Sequence, residues 1–348
     1  MSDSLPIVQS VDRALFAVLS DERHRWQAVN THFATVFDEL ETMVLAGGKR
    51  LRPQFLHWGW VAAGGQPSDS QHHHYGAAIE MLHACALFHD DVIDDSSLRR
   101  GHLTTHRRLA EIHEEDGLMG EPRRFGEGSA ILIGDIAFSL ANTLMKDLPS
   151  SARHYWNELC VEMNIGQYLD TVGSAFREYS VQHALSVARF KTAKYTIERP
   201  LHIGAVAADE TRGTELLSTL SSYGLPLGIA FQLRDDMLDA FGDESVTGKP
   251  VGGDFREGKT TALVGYAMSM ASSAQMEILE QIGSEDLASN NIADIQQVLV
   301  ETGAVTYVEQ LIVDQYGDAI ESLHDADIDS LVKEALIDLA LQVTQRTV

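Results

Sequence analysis

Two short segments carry most of the chemistry this sequence offers. HDDVIDD at 89–95 and RDDMLD at 234–239 each contain Asp-Asp-x-x-Asp. With 27 aspartates in 348 residues, chance gives ~0.2 such pattern per chain of this size, so two are unlikely to be accidental. On a helix, Asp90 and Asp94 stand one turn apart on one face, as do Asp235 and Asp239, and like charges at that spacing destabilise a helix unless something compensates. A solvated acidic face is the ordinary explanation. It fails here because apolar stretches at 82–88 and 224–233 precede the two segments and should bury both helices on most sides. Buried carboxylates need cations, and clustered hard oxygen donors suit Mg²⁺, which takes its remaining ligands from water and substrate phosphates. A phosphorylated substrate follows.

Basic groups should complete a phosphate cage. GGKRLRP at 47–53 opens a helix whose free N–H groups, with Lys49 and Arg52, could grip an anion. Arg99 and Arg100 follow the first Asp segment by about two turns, and Lys191 with Thr192, Lys249 and Lys259 complete the set. Each alone would more often be a solvated surface charge.

The elements that must position these residues are helices. Apolar residues recur at three- and four-residue spacing, as in Leu331, Ala335, Leu336 and Leu339, with Gly and Pro confined to a few points. The pattern predicts helices near 8–46, 50–63, 71–95, 127–147, 151–174, 179–208, 213–241, 257–280, 288–301, 304–323 and 328–345, and loops at 64–70, 113–126 and 242–258. No repeat and no strand–helix alternation is visible, so one all-α domain over 1–348 is the simplest account.

Composition narrows the class. Lys and Arg number 26 against 51 Asp and Glu, a formal charge of −25, which repels phosphate backbones and argues against nucleic-acid binding. The 44% hydrophobic content supports a large core. Cys85 and Cys160 lie in apolar helical patterns, which reads as a reduced cytoplasmic protein. The N-terminal segment lacks the features of a signal peptide. The uncharged run at 216–233 reaches membrane-span length but contains Pro226, Gln232 and several hydroxyls, so a buried helix is expected rather than an integral membrane segment.

Over roughly 40–265 the chain resembles the trans-isoprenyl diphosphate synthases, the polyprenyl synthetase family. The resemblance rests on GGKRLRP, HDDVIDDSSLRRG at 89–101, GD at 134–135, GQYLD at 166–170, KTA at 191–193, FQLRDDMLD at 231–239 and GKPVGGDFREGKTT at 248–261, in matching order and spacing. It implies an all-helical isoprenoid synthase-type bundle around a central cavity, with the Asp-rich helices facing each other across its mouth, and a homodimer dependent on Mg²⁺, with three ions per site once substrate is bound. It further implies that Asp90, Asp91, Asp94, Asp235, Asp236 and Asp239 bridge metal to an allylic diphosphate. Arg99, Lys191, Thr192, Gln232, Lys249 and Lys259 would contact that diphosphate, while Lys49, Arg52, His83 and Arg100 would hold isopentenyl diphosphate. The implied reaction is head-to-tail condensation without a protein nucleophile.

A growing prenyl chain would run from the Asp-rich mouth into an apolar tunnel. One turn before Asp90 the residues are Cys85 and Ala86, both small, where short-chain members of the family tend to carry bulky aromatics. The next layer holds Leu82 and Met81. PLHIGA at 200–205 and FGEGSAILIGD at 125–135 resemble bacterial geranylgeranyl diphosphate synthases, so a C20 product is expected, with a farnesyl or longer-chain synthase as alternative.

Other readings are weaker. Residues 253–260 match G-x-x-x-x-G-K-T, but a P-loop follows a strand, and here a Gly/Pro loop precedes it. A class I terpene cyclase would need neither GGKRLRP nor a second full Asp-Asp-x-x-Asp, and a non-catalytic synthase subunit should lack part of the metal set. His72, His73 and His74 read as a solvated loop rather than a zinc site, His102 and His106 as structural residues, and 111–124 as a solvated loop or lid.

Overall fold

The computed structural model describes residues 4–99, 101–242, 251–284 and 287–345. Arg100 and Lys249, both expected at the site, lie outside these residues. The described residues are all-α apart from one small hairpin, as the periodicity predicts. It divides into two compact units, one of Met1–Arg153 with Pro200–Thr214, the other of His154–Arg199 with Glu215–Val348.

In the first unit, α1 (Ser4–Gln27), α2 (Phe33–Leu45), α3 (Leu51–Ala62), α4 (Gln71–Ile93), α5 (Thr105–Glu115), α6 (Pro122–Leu144) and α9 (Arg199–Ala208) pack around an apolar core. Helix α4 is its centre. Tyr75, Ile79, Leu82 and Phe88 on α4 are fully buried, with Phe55 and Leu56 of α3 and Leu201 and Ile203 of α9. Strands β1 (Leu98–Arg99) and β2 (His102–Leu103) pair antiparallel around Gly101, whose φ of 78° suits glycine.

Arg50 fixes the entry to α3. It adopts φ 47°, and its guanidinium is buried against Glu80 at 2.7 Å, Asp12 at 2.9 Å and the Val44 carbonyl at 2.7 Å. The middle basic residue of GGKRLRP is therefore structural.

The second unit contains most of α7 (Ser150–Phe176), α8 (Val181–Val187), a π-helical segment at Ala188–Glu198, most of α10 (Glu210–Phe241), and α11 (Gly253–Glu257) through α16 (Ser330–Thr344). Leu233 and Met237 of α10 pack with Phe255, Leu263, Ile295, Leu299 and Val308 in its core. The uncharged run at 216–233 lies in α10, the one described helix long and apolar enough to cross a membrane. Its Tyr223 hydroxyl is buried and donates to the Leu336 carbonyl at 2.7 Å, and Ser221 donates to Glu198 at 2.7 Å. These contacts belong to a packed core helix.

Several boundaries differ from expectation. The helix expected over 8–46 breaks at 28–32, where Asn30 accepts from the His32 amide in a local turn that competes with the helix. The loop expected at 113–126 is mostly helical. α5 ends at Glu115, and α6 begins at Pro122 with Glu121 accepting from the amides of Arg123 and Arg124. The inner face of α5 is Thr105, His106, Leu109 and His113, all buried, so its core-facing histidines read as polar in the sequence. The stretch 257–280 divides into three short helices at Gly258 and at the Ser272–Gln275 capping box. His72 to His74 belong to the first turn of α4 and not to a loop, and His72 is buried.

Candidate active site

The first Asp set occupies the end of α4. Asp91 is 2% exposed and pairs side-on with Arg99, whose Nη2 and Nε lie 2.6 Å and 2.8 Å from Oδ1. Burial raises the Asp91 carboxyl above its ordinary range, opposed by the Arg99 hydrogen bonds and charge. Arg99 also lies 3.9 Å from Asp90. The hairpin supplies this arginine, and the Thr104 hydroxyl anchors it by donating to the Ser96 carbonyl at 2.7 Å. Asp95, at φ 52°, ends the helix and pairs with Arg107 at 2.7 Å.

Along α4 the tunnel candidates separate. Leu82 is fully buried and Cys85 is 6% exposed, with its sulfur 3.8 Å from His89 Nδ1. Burial pushes the Cys85 thiol up to about 12, with Asp135 adding to the shift. It is therefore a neutral, apolar group at physiological pH. Ala86 is half-buried, four residues before Asp90 and four after Leu82, so these three are successive neighbours on the helix surface. His89 lies against Gly134 of α6, where a Cβ would stand 2.4 Å from its Nε2; that nitrogen donates to the Ile131 carbonyl at 3.1 Å and lies 3.7 Å from Asp135 Oδ1. Gly134 thus makes room for the imidazole, a role its motif alone did not disclose. On the same unit Lys49 is exposed, while Arg52 and His83 are half-buried.

The second set lies on α10. Asp236 is 9% exposed and accepts from Gln232 Nε2 at 2.7 Å, while the Gln232 carbonyl oxygen accepts from the Thr192 hydroxyl in a short contact. Burial pushes Asp236 up to about 7 against the Gln232 bond, and Asp235, Asp170 and Asp239 push in the same direction. Asp239 accepts from the Asp254 amide at 2.9 Å. Burial and then Asp239 raise Asp254 well above the carboxylate range, against Lys259. Asp235 is exposed. Neighbouring carboxylates thus disfavour the charge of Asp236 and Asp254, and the five together offer hard oxygen donors. That donor set fits a divalent cation such as Mg²⁺.

Lys191 and Thr192 project from the π-helical segment. Such segments occur disproportionately at functional sites. Here it is wedged at glycines: a Cβ on Gly166 of α7 would be 2.3 Å from the Lys191 amide nitrogen, and one on Gly228 of α10 would be 2.2 Å from the Ala193 Cα. Beneath it, Glu162 accepts from Lys194 at 2.7 Å and from Arg199 at 2.6 Å. Lys191 Nζ lies 2.7 Å from Asp170, the last residue of GQYLD, and Lys259 lies 2.9 Å from Glu257. Asp170 and Asp254 carry no chemical signature of their own in the sequence beyond their positions within GQYLD and beside GKTT.

Residues 253–257, which a P-loop would need as an open glycine loop, form the short helix α11, so the P-loop reading falls.

All-α units bearing two helix-borne Asp-Asp-x-x-Asp sets, with cationic side chains beside them, define a trans-prenyltransferase of the isoprenoid synthase type. The chain belongs to the polyprenyl synthetase family, whose model matches residues 34–301. It is similar to a short chain isoprenyl diphosphate synthase of Methanothermobacter thermautotrophicus, 31% identical over 95% of this chain and 96% of the relative. A geranylfarnesyl diphosphate synthase of Aeropyrum pernix is 31% identical over 87% and 92%. Among solved structures, the geranylgeranyl pyrophosphate synthase of Corynebacterium glutamicum, complexed with isoprenyl diphosphate and magnesium, superposes with a TM-score of 0.93 at 36% identity, covering 98% of this chain and 99% of that one.

Proposed function

We propose that the protein condenses isopentenyl diphosphate with dimethylallyl, geranyl or farnesyl diphosphate head-to-tail, and that its main product is all-trans geranylgeranyl diphosphate. The observation that carries this reading is the pair of Asp-Asp-x-x-Asp sets on α4 and α10, in each of which the buried member is pushed toward protonation by burial first and then by neighbouring carboxylates of its own unit.

Asp90, Asp91, Asp94, Asp235 and Asp239 would hold Mg²⁺, three ions when substrate is bound, and Asp236 would fix Gln232 through its 2.7 Å bond. Bound Mg²⁺ supplies charge neutralisation of the departing pyrophosphate. Arg99, Lys191, Thr192, Gln232, Lys249 and Lys259 orient the allylic diphosphate. Lys49, Arg52, His83 and Arg100 orient isopentenyl diphosphate. The allylic C1–O bond breaks with its electron pair leaving on pyrophosphate, the isopentenyl double bond attacks C1, and the released pyrophosphate takes the proton whose loss regenerates an alkene. The chain's own contribution is preorganised charge and exclusion of water from the cation.

Support for C20 comes from the small residues Cys85 and Ala86 above Leu82. The two units would work as one polyprenyl synthetase domain in a homodimer. The exposed apolar residues Ile131, Leu132 and Phe138 of α6 favour a subunit contact there. Free thiols at Cys85 and Cys160 agree with the cytoplasm.

The test is a product assay with purified protein, Mg²⁺, labelled isopentenyl diphosphate and each primer, followed by dephosphorylation and chain-length analysis. C20 alcohol is the expected product. C15, C25 or longer alcohols would overturn the length assignment. Incorporation only after addition of a second synthase would make this chain a subunit, and pyrophosphate release without isopentenyl diphosphate would make it a cyclase.

A further inference from the structure

Three imidazoles meet in the first unit, far along α4 from the carboxylates. His57 Nδ1 of α3 lies 2.8 Å from His72 Nε2 of α4, and one nitrogen from each of His57, His72 and His73 lies within 4.8 Å of the other two. His57 and His72 are 4% and 1% exposed, and His73 is half-buried. At a rise of about 1.5 Å per residue, His72 and Asp90 are about 27 Å apart along the helix. The cluster is therefore separate from the α4 carboxylates.

A hydrogen bond does not account for the arrangement. One proton can lie between His57 and His72, and whichever ring holds it, His72 Nδ1 is buried with no hydrogen-bond partner. Buried polar atoms without partners are uncommon in native interiors and call for a reason. Burial, followed by the neighbouring imidazoles, pushes His57 down to about 4 and His72 to about 3. Both rings are thus neutral near pH 7, with lone pairs able to ligate. The other charges acting on His73 are those of His74, Arg13 and Asp69.

We propose that His57, His72 and His73 form a site for a borderline divalent transition-metal ion, Zn²⁺ in the first instance, that ties α3 to α4. Imidazole nitrogens suit Zn²⁺, Co²⁺, Ni²⁺ and Cu²⁺, whereas Mg²⁺ prefers oxygen. In a tetrahedral site with Zn–N near 2.0–2.1 Å, ligand nitrogens stand about 3.3 Å apart. If the facing nitrogens ligate, that pair opens by about half an ångström and the donor ring moves its proton to its other nitrogen. The half-buried His73 draws in by at most about 1.5 Å. Water takes the fourth position.

The test uses the tag-free full-length chain in excess Mg²⁺, so that the carboxylates are already engaged. Equilibrium dialysis against Zn²⁺ with metal analysis should find one Zn²⁺ per chain. His73→Ala and His57→Gln should each weaken that binding at least tenfold. Co²⁺ in place of Zn²⁺ should give a visible d–d band that His73→Ala removes. His73→Ala should leave prenyl transfer in Mg²⁺ unchanged, so the result is independent of the proposed reaction. No retained Zn²⁺, or retention unaffected by both substitutions, would overturn the proposal. Should His57→Gln not fold, the half-buried His73→Ala settles the question alone.

Discussion

Arg99 grips Asp91 side-on, with Nη2 and Nε at 2.6 Å and 2.8 Å from one carboxylate oxygen, at the buried end of α4. The pair opposes the upward shift that burial imposes on a carboxylate that is 2% exposed. It also shows that Arg99, expected on a substrate diphosphate, has a protein anion to neutralise when no diphosphate is bound. Truncation of one partner strands the other, at a typical cost of about 3–5 kcal/mol. Arg99→Ala should therefore lower Tm in EDTA by many degrees, and Mg²⁺ should recover part of the loss by replacing the missing positive charge. Differential scanning calorimetry with and without Mg²⁺ checks this; an unchanged Tm would mean that the pair contributes nothing to stability.

Asp236 makes stability depend on pH. Its carboxyl is raised to about 7 by burial first and by Asp235, Asp170 and Asp239 thereafter. The folded state then binds a proton that the unfolded state, titrating near 3.9, has already lost. Metal-free stability should fall as pH rises through that interval and level off above about 7. His57 and His72, lowered to about 4 and about 3, act in the opposite sense below pH 6.5. The informative window is therefore pH 6.5–7.5, where wild type should lose stability more steeply than Asp236→Asn, in which the raised Asp254 carboxyl still contributes. Urea midpoints in EDTA across that window read the difference, and parallel curves would refute it.

Asp170 is expected to act through Lys191, whose ammonium it holds at 2.7 Å. Asp170→Asn should raise KM for the allylic diphosphate about tenfold, as expected for about 1.4 kcal/mol of lost positioning, and leave KM for isopentenyl diphosphate near its original value. Steady-state kinetics with each substrate varied separately provides the test. A rise confined to isopentenyl diphosphate would reassign Lys191.

Ala86 and Cys85 should respond differently to enlargement. Ala86 is half-buried, four residues before Asp90, whereas Cys85 is 6% exposed with its sulfur near His89. Ala86→Phe should shorten the product from C20 to C15 with little loss of stability. Cys85→Phe should also shorten it, at an overpacking cost of about 1–3 kcal/mol. Chain-length analysis beside thermal melts distinguishes the two, and unchanged product length in both variants would remove these residues from the tunnel.

Much of this was legible in the sequence because spacing and burial coincide at the Asp segments: apolar runs before Asp90 and Asp235 announced helices whose carboxylates could not all be solvated. Helix α5 was hidden because two of its core residues, His106 and His113, count as polar in any periodicity. The same blindness put His72 in a solvated loop when it is buried beside His57. The π-helical turn around Lys191 has no residue signature, since its shifted hydrogen bonds depend on the close approaches at Gly166 and Gly228. Arg50 and Asp170 were visible only as letters within motifs. Their partners Glu80 and Lys191 are 30 and 21 residues away, and pairing at that distance is a property of the fold.

In the proposed reaction the α4 and α10 carboxylates act on one leaving pyrophosphate. Single-turnover transfer of labelled isopentenyl diphosphate should be measured for wild type, Asp90→Asn, Asp235→Asn and the double variant at saturating Mg²⁺. Each single substitution is expected to slow transfer by a factor on the order of 10²–10³, and the double variant by little more than the worse single, as for groups that serve one transition state. A double variant whose loss equals the product of the two single losses, or an Asp235→Asn chain that transfers at the wild-type rate, would contradict the account.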